Sequence, residues 1–138
     1  EGTFLTMICV LFDEEKERLV YTCAGHEPPL LVLDDGKAAS LLHAQLLVGI
    51  DPDYPYREYD APFGEGDLLC VFSDGIVEVK NDEDEFFGRG GVKRALEERS
   101  GGSPEEIVRA MLDRMQDWNG GKPIEDEVSI VVVKSKGA

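Results

Sequence analysis

Two aspartates have positions along the chain that suit the binding of a divalent cation. Asp74 follows the apolar run DLLCVFS, and Asp126 comes just before the β-branched run VSIVVV. The end of a strand positions a carboxylate firmly and leaves it open to solvent, as the oxygen ligands of Mg²⁺ and Mn²⁺ require. The pattern alone is weak, because an aspartate before glycine, as at Asp74, is also common in turns.

The other polar motifs indicate no further chemistry. His26 lies in the turn sequence AGHEPP, where a bond to nearby backbone is the expected role, and His43 has no motif around it. The sequence shows no glycine-rich phosphate loop, no serine elbow and no Cys/His pair. We therefore predict no catalytic residue beyond metal ligands and no site for an organic cofactor. The acidic run 82–85 is expected to be solvated surface.

The aspartates need strands to position them, and apolar or β-branched runs predict where these lie. Because the first run is almost entirely apolar, we expect it to be covered on both faces and to form a hairpin with the second. A short edge strand is also predicted at 56–59, within a connector rich in proline and glycine. The predicted strands are 6–12, 18–23, 30–33, 56–59, 67–73 and 128–133.

The second half of the chain predicts helices. Ser103, Pro104 and Glu106 have the spacing of a capping box with proline in the first turn, so a helix is expected over 104–118. A shorter helix is predicted over 92–99. Strands followed by two helices and a closing strand indicate an α+β fold in one domain.

Composition limits the partners and the compartment. The formal net charge of −15 disfavours nucleic acid and anionic membranes, and no apolar run approaches the ~20 residues of a membrane span. Cys9, Cys23 and Cys70 lie in apolar runs without a metal-binding spacing, so we expect buried, unpaired thiols in a reducing cytoplasm. The chain starts at Glu1 with no leader pattern, and we interpret it as a fragment of a longer protein.

Six phrases in order along the chain resemble the successive motifs of SpoIIE/RsbU-like phosphatases, which are metal-dependent protein serine/threonine phosphatases of the type 2C class. Each phrase is weak alone, but their order over nearly the whole chain is specific. The phrases are FLTM at 4–7, AGHEPPLL at 24–31, VGI at 48–50, GDLLCVFSDGIVE at 66–78, EFFG at 85–88 and DEVS at 126–129.

The resemblance implies a phosphatase 2C-like β-sandwich flanked by helices, with a binuclear Mg²⁺ or Mn²⁺ centre. Asp74 and Asp126 match two metal aspartates of the family and would bind the same ion, which places their carboxylates a few ångströms apart. The chain departs from the family in having Glu127 and Ser129 where Asp and Thr are usual. The family's bridging aspartate, in a Gly-Gly-Asp phrase, would lie upstream of residue 1, so 1–138 is expected to be one phosphatase domain without its N-terminal portion.

Further residues near the aspartates are expected to support the site. Gly75 would let the backbone pass close to it, and the acidic run 125–127, which includes Glu127, would attract cations. Glu78, Asn81 and Asp82 are near enough in sequence to contact the ligands, although a role as solvated turn residues fits equally well.

The resemblance also implies a function. Metal-activated water would hydrolyse phosphoserine or phosphothreonine on a regulatory phosphoprotein, such as an anti-sigma-factor antagonist in stress-response signalling. A sensor or receiver domain would precede the phosphatase in the parent chain. Without the upstream aspartate, 1–138 alone would have little or no activity. The alternative is a catalytically incomplete, phosphatase-like module that binds a regulatory protein.

Overall fold

The computed structural model describes residues 2–137, in which two sheets and three helices form an α+β fold. The strands β1–β8 are Met7–Asp13, Arg18–Ala24, Leu30–Val32, Ala38–Ser40, Ala44–Gln45, Tyr59–Pro62, Leu68–Phe72 and Ile130–Lys134. The helices α1–α3 are Asp74–Val77, Gly88–Arg99 and Pro104–Trp118. None of these helices has both the length and the apolar character that a bilayer crossing requires.

The first sheet contains the predicted hairpin. β1 pairs antiparallel with β2, which also pairs with β5 and β6. The expectation that β1 is covered on both faces is wrong: Met7 and Leu11 are exposed, while Val10 and Phe12 pack on a buried cluster. β1 lies at the edge of its sheet, and only one of its faces is directed toward the second sheet.

The second sheet, in the order β4-β3-β7-β8, lies between the first sheet and the helices. In β7, Leu69 packs on the cluster shared with the first sheet, and Leu68, Cys70 and Phe72 pack on the cluster shared with the helices. A strand covered on both faces has no polar alternation, which explains why β7 is a continuous apolar run.

The two longer helices complete the core. α3 begins as predicted, because Ser103 accepts a hydrogen bond from the backbone of Glu106 and the Glu106 side chain accepts one from the backbone of Ser103. Its Ile107, Met111 and Met115 are buried against the second sheet and α2. α2 begins at residue 88, four residues before the predicted start at residue 92.

The connector after β5 differs from the prediction. The expected edge strand at 56–59 is wrong, since the strand there is β6, Tyr59–Pro62, which pairs with β2. Tyr56 instead donates its backbone N–H to Tyr54, as in a turn, while Ala61 of β6 is buried opposite Leu19. The short elements β4, β5 and α1 were not predicted.

The cysteines fall into two groups. All three are free, and Cys23 and Cys70 are buried as predicted, but Cys9 is exposed. The prediction for Cys9 is wrong because this residue lies on the solvent-facing side of β1 with Met7 and Leu11. Burial raises the pKa of the Cys23 thiol, and raises that of the Cys70 thiol to about 12.

Alkylation should distinguish the two groups of thiols. The thiolate is the nucleophile, so a raised pKa and burial both protect Cys70 and Cys23, whereas Cys9 is accessible. In the folded protein at about pH 8, we expect iodoacetamide to label Cys9 rapidly and the other two only after unfolding. Peptide mapping by mass spectrometry measures this, and Cys9→Ser should remove the rapid labelling. Rapid labelling of Cys70 in the folded protein would contradict the packing described here.

The core assignment of α3 is tested by two neighbouring residues. Met111 is fully buried, and Leu112 is 38% exposed. Met111→Ala should lower the free energy of unfolding by about 2–5 kcal/mol, because it removes packed methylene groups and leaves a cavity. Leu112→Ala is the matched control and should cost less than about 1 kcal/mol. Urea denaturation measures both, and equal losses would show that the buried face of α3 is wrongly assigned.

Candidate functional site

The pairing of β7 with β8 brings the two aspartates to the same edge of the second sheet. Phe72 is opposite Ile130, and the hydrogen bonds continue beyond the strands. The Ser73 N–H donates to the Ser129 carbonyl at 2.9 Å, and the Ser129 N–H donates to Ser73 Oγ at 2.9 Å. Asp74 directly follows this pairing and Asp126 shortly precedes it. The two aspartates therefore enter the site from neighbouring segments of the same chain.

Asp74 is positioned by a short helical turn. It is the first residue of α1, and Glu78 closes the turn by donating its N–H to the Asp74 carbonyl at 3.0 Å. Ile76 of this turn is fully buried in the helix-side core. The buried Ile76 and the strand before it fix the backbone, while the Asp74 side chain stays exposed to solvent.

Gly75 brings α1 into direct contact with the segment that contains Asp126. A Cβ added at Gly75 would lie 2.1 Å from the carbonyl oxygen of Glu127, which is closer than any real side chain allows. Asp126 is exposed, and its Oδ1 accepts the N–H of Glu127 at 2.8 Å, which orients the carboxylate relative to its own backbone. This contact supports the role predicted for Gly75, namely close passage of the backbone.

An open cleft of about 520 Å³ lies beside this contact. Its lining includes Gly75, Glu78, Asn81 and Asp126, which were singled out in the sequence. Asp74 adjoins the cleft through Gly75. The cleft is also lined by Val79, Lys80, Asn119, Lys122, Pro123, Ile124 and Glu125.

Asn81 and Asp82 have roles in the loop that borders the cleft. Asn81 Oδ1 accepts the backbone N–H groups of Glu83 and Glu85, at 3.0 and 2.9 Å, so this side chain organises the loop. Asp82 does not line the cleft and forms an ion pair with Lys122. The run 82–85 is exposed, as expected for solvated surface.

His26 lies apart from the cleft and has a structural role, as predicted. Its Nδ1 is 2.8 Å from the Glu27 carbonyl, to which it donates as the Nδ1–H tautomer. Glu27 also forms an ion pair with Arg89 at 2.6 Å, and Arg89 donates a second hydrogen bond to the Pro28 carbonyl. This turn therefore connects to the first turn of α2 through charged and backbone groups.

Asn119 is a cleft residue that the sequence did not reveal. It ends α3, is 5% exposed, and donates its Nδ2–H to the Lys122 carbonyl at 2.9 Å. Its Oδ1 is buried with no hydrogen-bond partner among residues 2–137. A buried amide oxygen without a donor costs about 1–3 kcal/mol. Only the usual frequency of asparagine at helix ends pointed to this position.

Solved structures of PP2C-type phosphatase domains share this fold. The PP2C domain of SiaA from Pseudomonas aeruginosa matches with a TM-score of 0.83 at 21% identity, over 96% of this chain and 52% of that one. The Mn-presoaked phosphatase domain of SpoIIE from Bacillus subtilis matches with a TM-score of 0.71 at 20% identity, over 94% and 56%. The sheets and helices described above therefore have the fold of PP2C-type phosphatases, as the resemblance implied.

The family follows from the sequence comparisons. The family model of stage II sporulation protein E (SpoIIE) matches residues 1–136, and the chain belongs to this family. The phosphoserine phosphatase RsbU of Bacillus subtilis (strain 168) is 29% identical over 137 residues, which cover 96% of this chain and 39% of RsbU. The chain thus spans less than half the length of that relative.

PP2C-type phosphatases are metal-dependent, and two side chains at this edge have the chemistry that a divalent cation requires. Asp74 and Asp126 supply exposed, hard oxygen donors on adjoining segments, as Mg²⁺ and Mn²⁺ prefer. Within residues 2–137, no group of three or more His, Cys, Asp or Glu side chains is arranged to bind a metal. The two aspartates fit a partial set of ligands, and the approach of their carboxylates to one cation stays a prediction.

The tight contact at Gly75 can be tested by adding one methyl group. Gly75→Ala should lower the free energy of unfolding by about 1–3 kcal/mol, because the new Cβ displaces the Glu127 carbonyl. Gly90→Ala is the control: Gly90 is exposed in α2, and an added Cβ would approach only the flexible end of Arg94, at 3.4 Å. The control should stabilise the helix by about 0.5–1 kcal/mol. Thermal or urea unfolding that shows no loss for Gly75→Ala would exclude this contact.

Proposed function

We propose that this chain is the larger, C-terminal part of a metal-dependent protein serine/threonine phosphatase domain. The observation that supports this most directly is the placement of Asp74 and Asp126 on adjoining segments at one sheet edge, with Gly75 against the Glu127 carbonyl. The arrangement occurs in a chain of the SpoIIE family with a PP2C-type fold.

Each residue of the site has a defined part in the proposed reaction. Asp74 and Asp126 bind the cations, and Ser73 keeps the two segments together through its hydrogen bonds with Ser129. Gly75 leaves room for the close passage of the backbone. Mg²⁺ or Mn²⁺, when bound, would lower the pKa of a water and neutralise charge on the phosphoryl oxygens. The acidic run 125–127 increases the local attraction for cations.

The extent of the domain is part of the proposal. The chain covers 52% of the SiaA PP2C domain chain, and we place the remaining portion, with the bridging aspartate, upstream of residue 1. A second ion would depend on that aspartate for a protein ligand. In this view residues 1–138 belong to one domain and bind cations only weakly by themselves.

The substrate and the biological setting are inferred from the relatives. RsbU is a phosphoserine phosphatase, which favours a phosphoserine-containing regulatory protein such as an anti-sigma-factor antagonist as the substrate. We place a sensor or receiver domain before the phosphatase in the parent chain. The free cysteines fit a reducing cytoplasm, which remains a prediction about location.

Aspartate-to-asparagine variants test the metal assignment. In a protein that includes the upstream segment, Asp74→Asn and Asp126→Asn should each lower Mn²⁺-dependent hydrolysis of a phosphoserine peptide by at least about 100-fold, because the amide lacks the charge that binds the cation. Stability should change by no more than about 0.5 kcal/mol, because both side chains are exposed. Phosphate release and urea unfolding measure the two effects.

Two controls complete the test. Asp60→Asn removes an exposed aspartate of β6, in the other sheet, and should leave hydrolysis unchanged. Residues 1–138 alone should show little or no hydrolysis. If Asp74→Asn retains full activity, or if 1–138 matches the longer protein, the metal assignment is wrong. If the longer protein hydrolyses nothing but binds a regulatory protein, the alternative of a phosphatase-like binding module is correct.

A further inference from the structure

Arg89 joins three separate segments of the chain to the start of α2. Its guanidinium group forms an ion pair with Glu27 at 2.6 Å and donates hydrogen bonds to the Pro28 carbonyl and to Ser40 Oγ, each at 2.9 Å. The same group lies over the ring of Phe72, with Cζ 5.3 Å from the ring centroid. All of these partners are residues that the structure describes, so the network needs nothing from outside them.

The helix itself does not explain why an arginine stands at this position. Arg89 is the second residue of α2, where the free N–H groups of a helix carry partial positive charge and a cation is unfavourable. The first turn of α2 has no acidic residue to offset this cost. The compensating carboxylate is that of Glu27, which belongs to another segment. Arg89 therefore serves contacts between segments rather than the stability of α2.

Phe72 connects this network to the candidate site. It is the last residue of β7, is 1% exposed, and is opposite Ile130 in the pairing with β8. Asp74 follows two residues later, directly after the hydrogen bond from Ser73 to Ser129. A guanidinium over an aromatic face is an attractive contact, and the attraction increases with burial. The contact with Arg89 therefore holds the end of β7 from which Asp74 emerges.

We propose that Arg89 is a positioning residue for the cation-binding edge. By stacking on Phe72, it keeps the end of β7 in the place from which Asp74 binds the cation. The inference rests on the proposed function, which assigns that role to Asp74. A planar group with five N–H donors can contact a carboxylate, a carbonyl and a hydroxyl in its plane while its face lies on a ring. Arg89 itself touches neither the cation nor the substrate.

Mn²⁺ binding without substrate tests this in the protein that includes the upstream segment. Arg89→Met keeps an apolar side chain and removes the guanidinium group. It should raise the Kd for Mn²⁺ about fivefold, less than the 10- to 100-fold typical of residues that contact a metal ligand directly. Charge alone predicts the opposite, because a more acidic protein attracts cations more strongly. Isothermal titration calorimetry measures the Kd, and an unchanged or lower value overturns the proposal.

Lys134→Met is the matched control for charge and for lost stability. Lys134 is also partly buried and donates to two backbone carbonyls, those of Ser100 and Gly102, at 3.0 and 2.9 Å. It is opposite Leu68, at the end of the β7–β8 pairing that is farther from the site. The Kd should stay within about twofold of the unaltered value, because distant sites act independently. If both variants raise the Kd equally, the effect of Arg89→Met is a loss of general stability, and the proposal is overturned.

A double-mutant cycle shows whether Arg89 acts through Phe72. Phe72→Leu keeps an apolar side chain but removes the aromatic face. In this background Arg89→Met should change the Kd by less than about 1.5-fold, because the contact is already lost. Equal effects in both backgrounds overturn the proposal. If Arg89→Met does not fold, Arg89→Lys replaces it: it keeps the charge without the planar group and should raise the Kd about threefold. An unchanged Kd in Arg89→Lys would then overturn the proposal.

Hydrogen exchange without metal reports on the strand end directly. In EDTA, the Ser73 amide should exchange about fivefold faster in Arg89→Met than in Lys134→Met when the two are compared at equal global stability. Equal exchange overturns the proposal. Asp74→Asn separates the two levels of inference. If it binds Mn²⁺ as tightly as the unaltered protein, the metal assignment is wrong and the role of Arg89 falls with it. If it loses Mn²⁺ binding while Arg89→Met does not, only the role of Arg89 is wrong.

Discussion

The antiparallel pairing of β7 with β8 is the interaction on which the candidate site depends. It joins residues that are more than fifty positions apart in the chain, with Phe72 opposite Ile130. The Ser73 and Ser129 hydrogen bonds extend it beyond the strands, where Asp74 and Asp126 emerge. A shift of one residue in this pairing would reverse the side chains of one strand across the sheet, so the register also determines where the aspartates emerge.

The core on both faces of β7 protects this register. Leu69 packs toward the first sheet, while Cys70 and Phe72 pack toward α2 and α3. Such a strand cannot slip without moving apolar side chains in two layers at once. The adjoining turn is similarly constrained, because Ile76 is fully buried and Gly75 has no room for a side chain. The exposed carboxylates of the site therefore rest on a backbone that buried contacts hold in place.

Local pattern predicted the parts of this structure that local physics determines. The capping box of α3 and the apolar run of β7 were found because helix caps and buried strands have short-range signals. The solvent-facing side of β1 was not predicted, because an apolar residue such as Leu11 gives no sign of whether another layer of the protein covers it. Asn119 was missed for a related reason: its side chain is buried where segments distant in sequence meet. Family resemblance, rather than pattern, singled out Asp126.

The charge of the chain imposes a requirement on any phosphorylated substrate. A phosphoserine carries roughly −1.5 to −2 charges at pH 7 and is repelled by carboxylates such as Asp74 and Asp126. Under the proposed function, cations bound between them would reverse this repulsion, so cation binding and phosphoprotein binding would each raise the affinity for the other by the same factor.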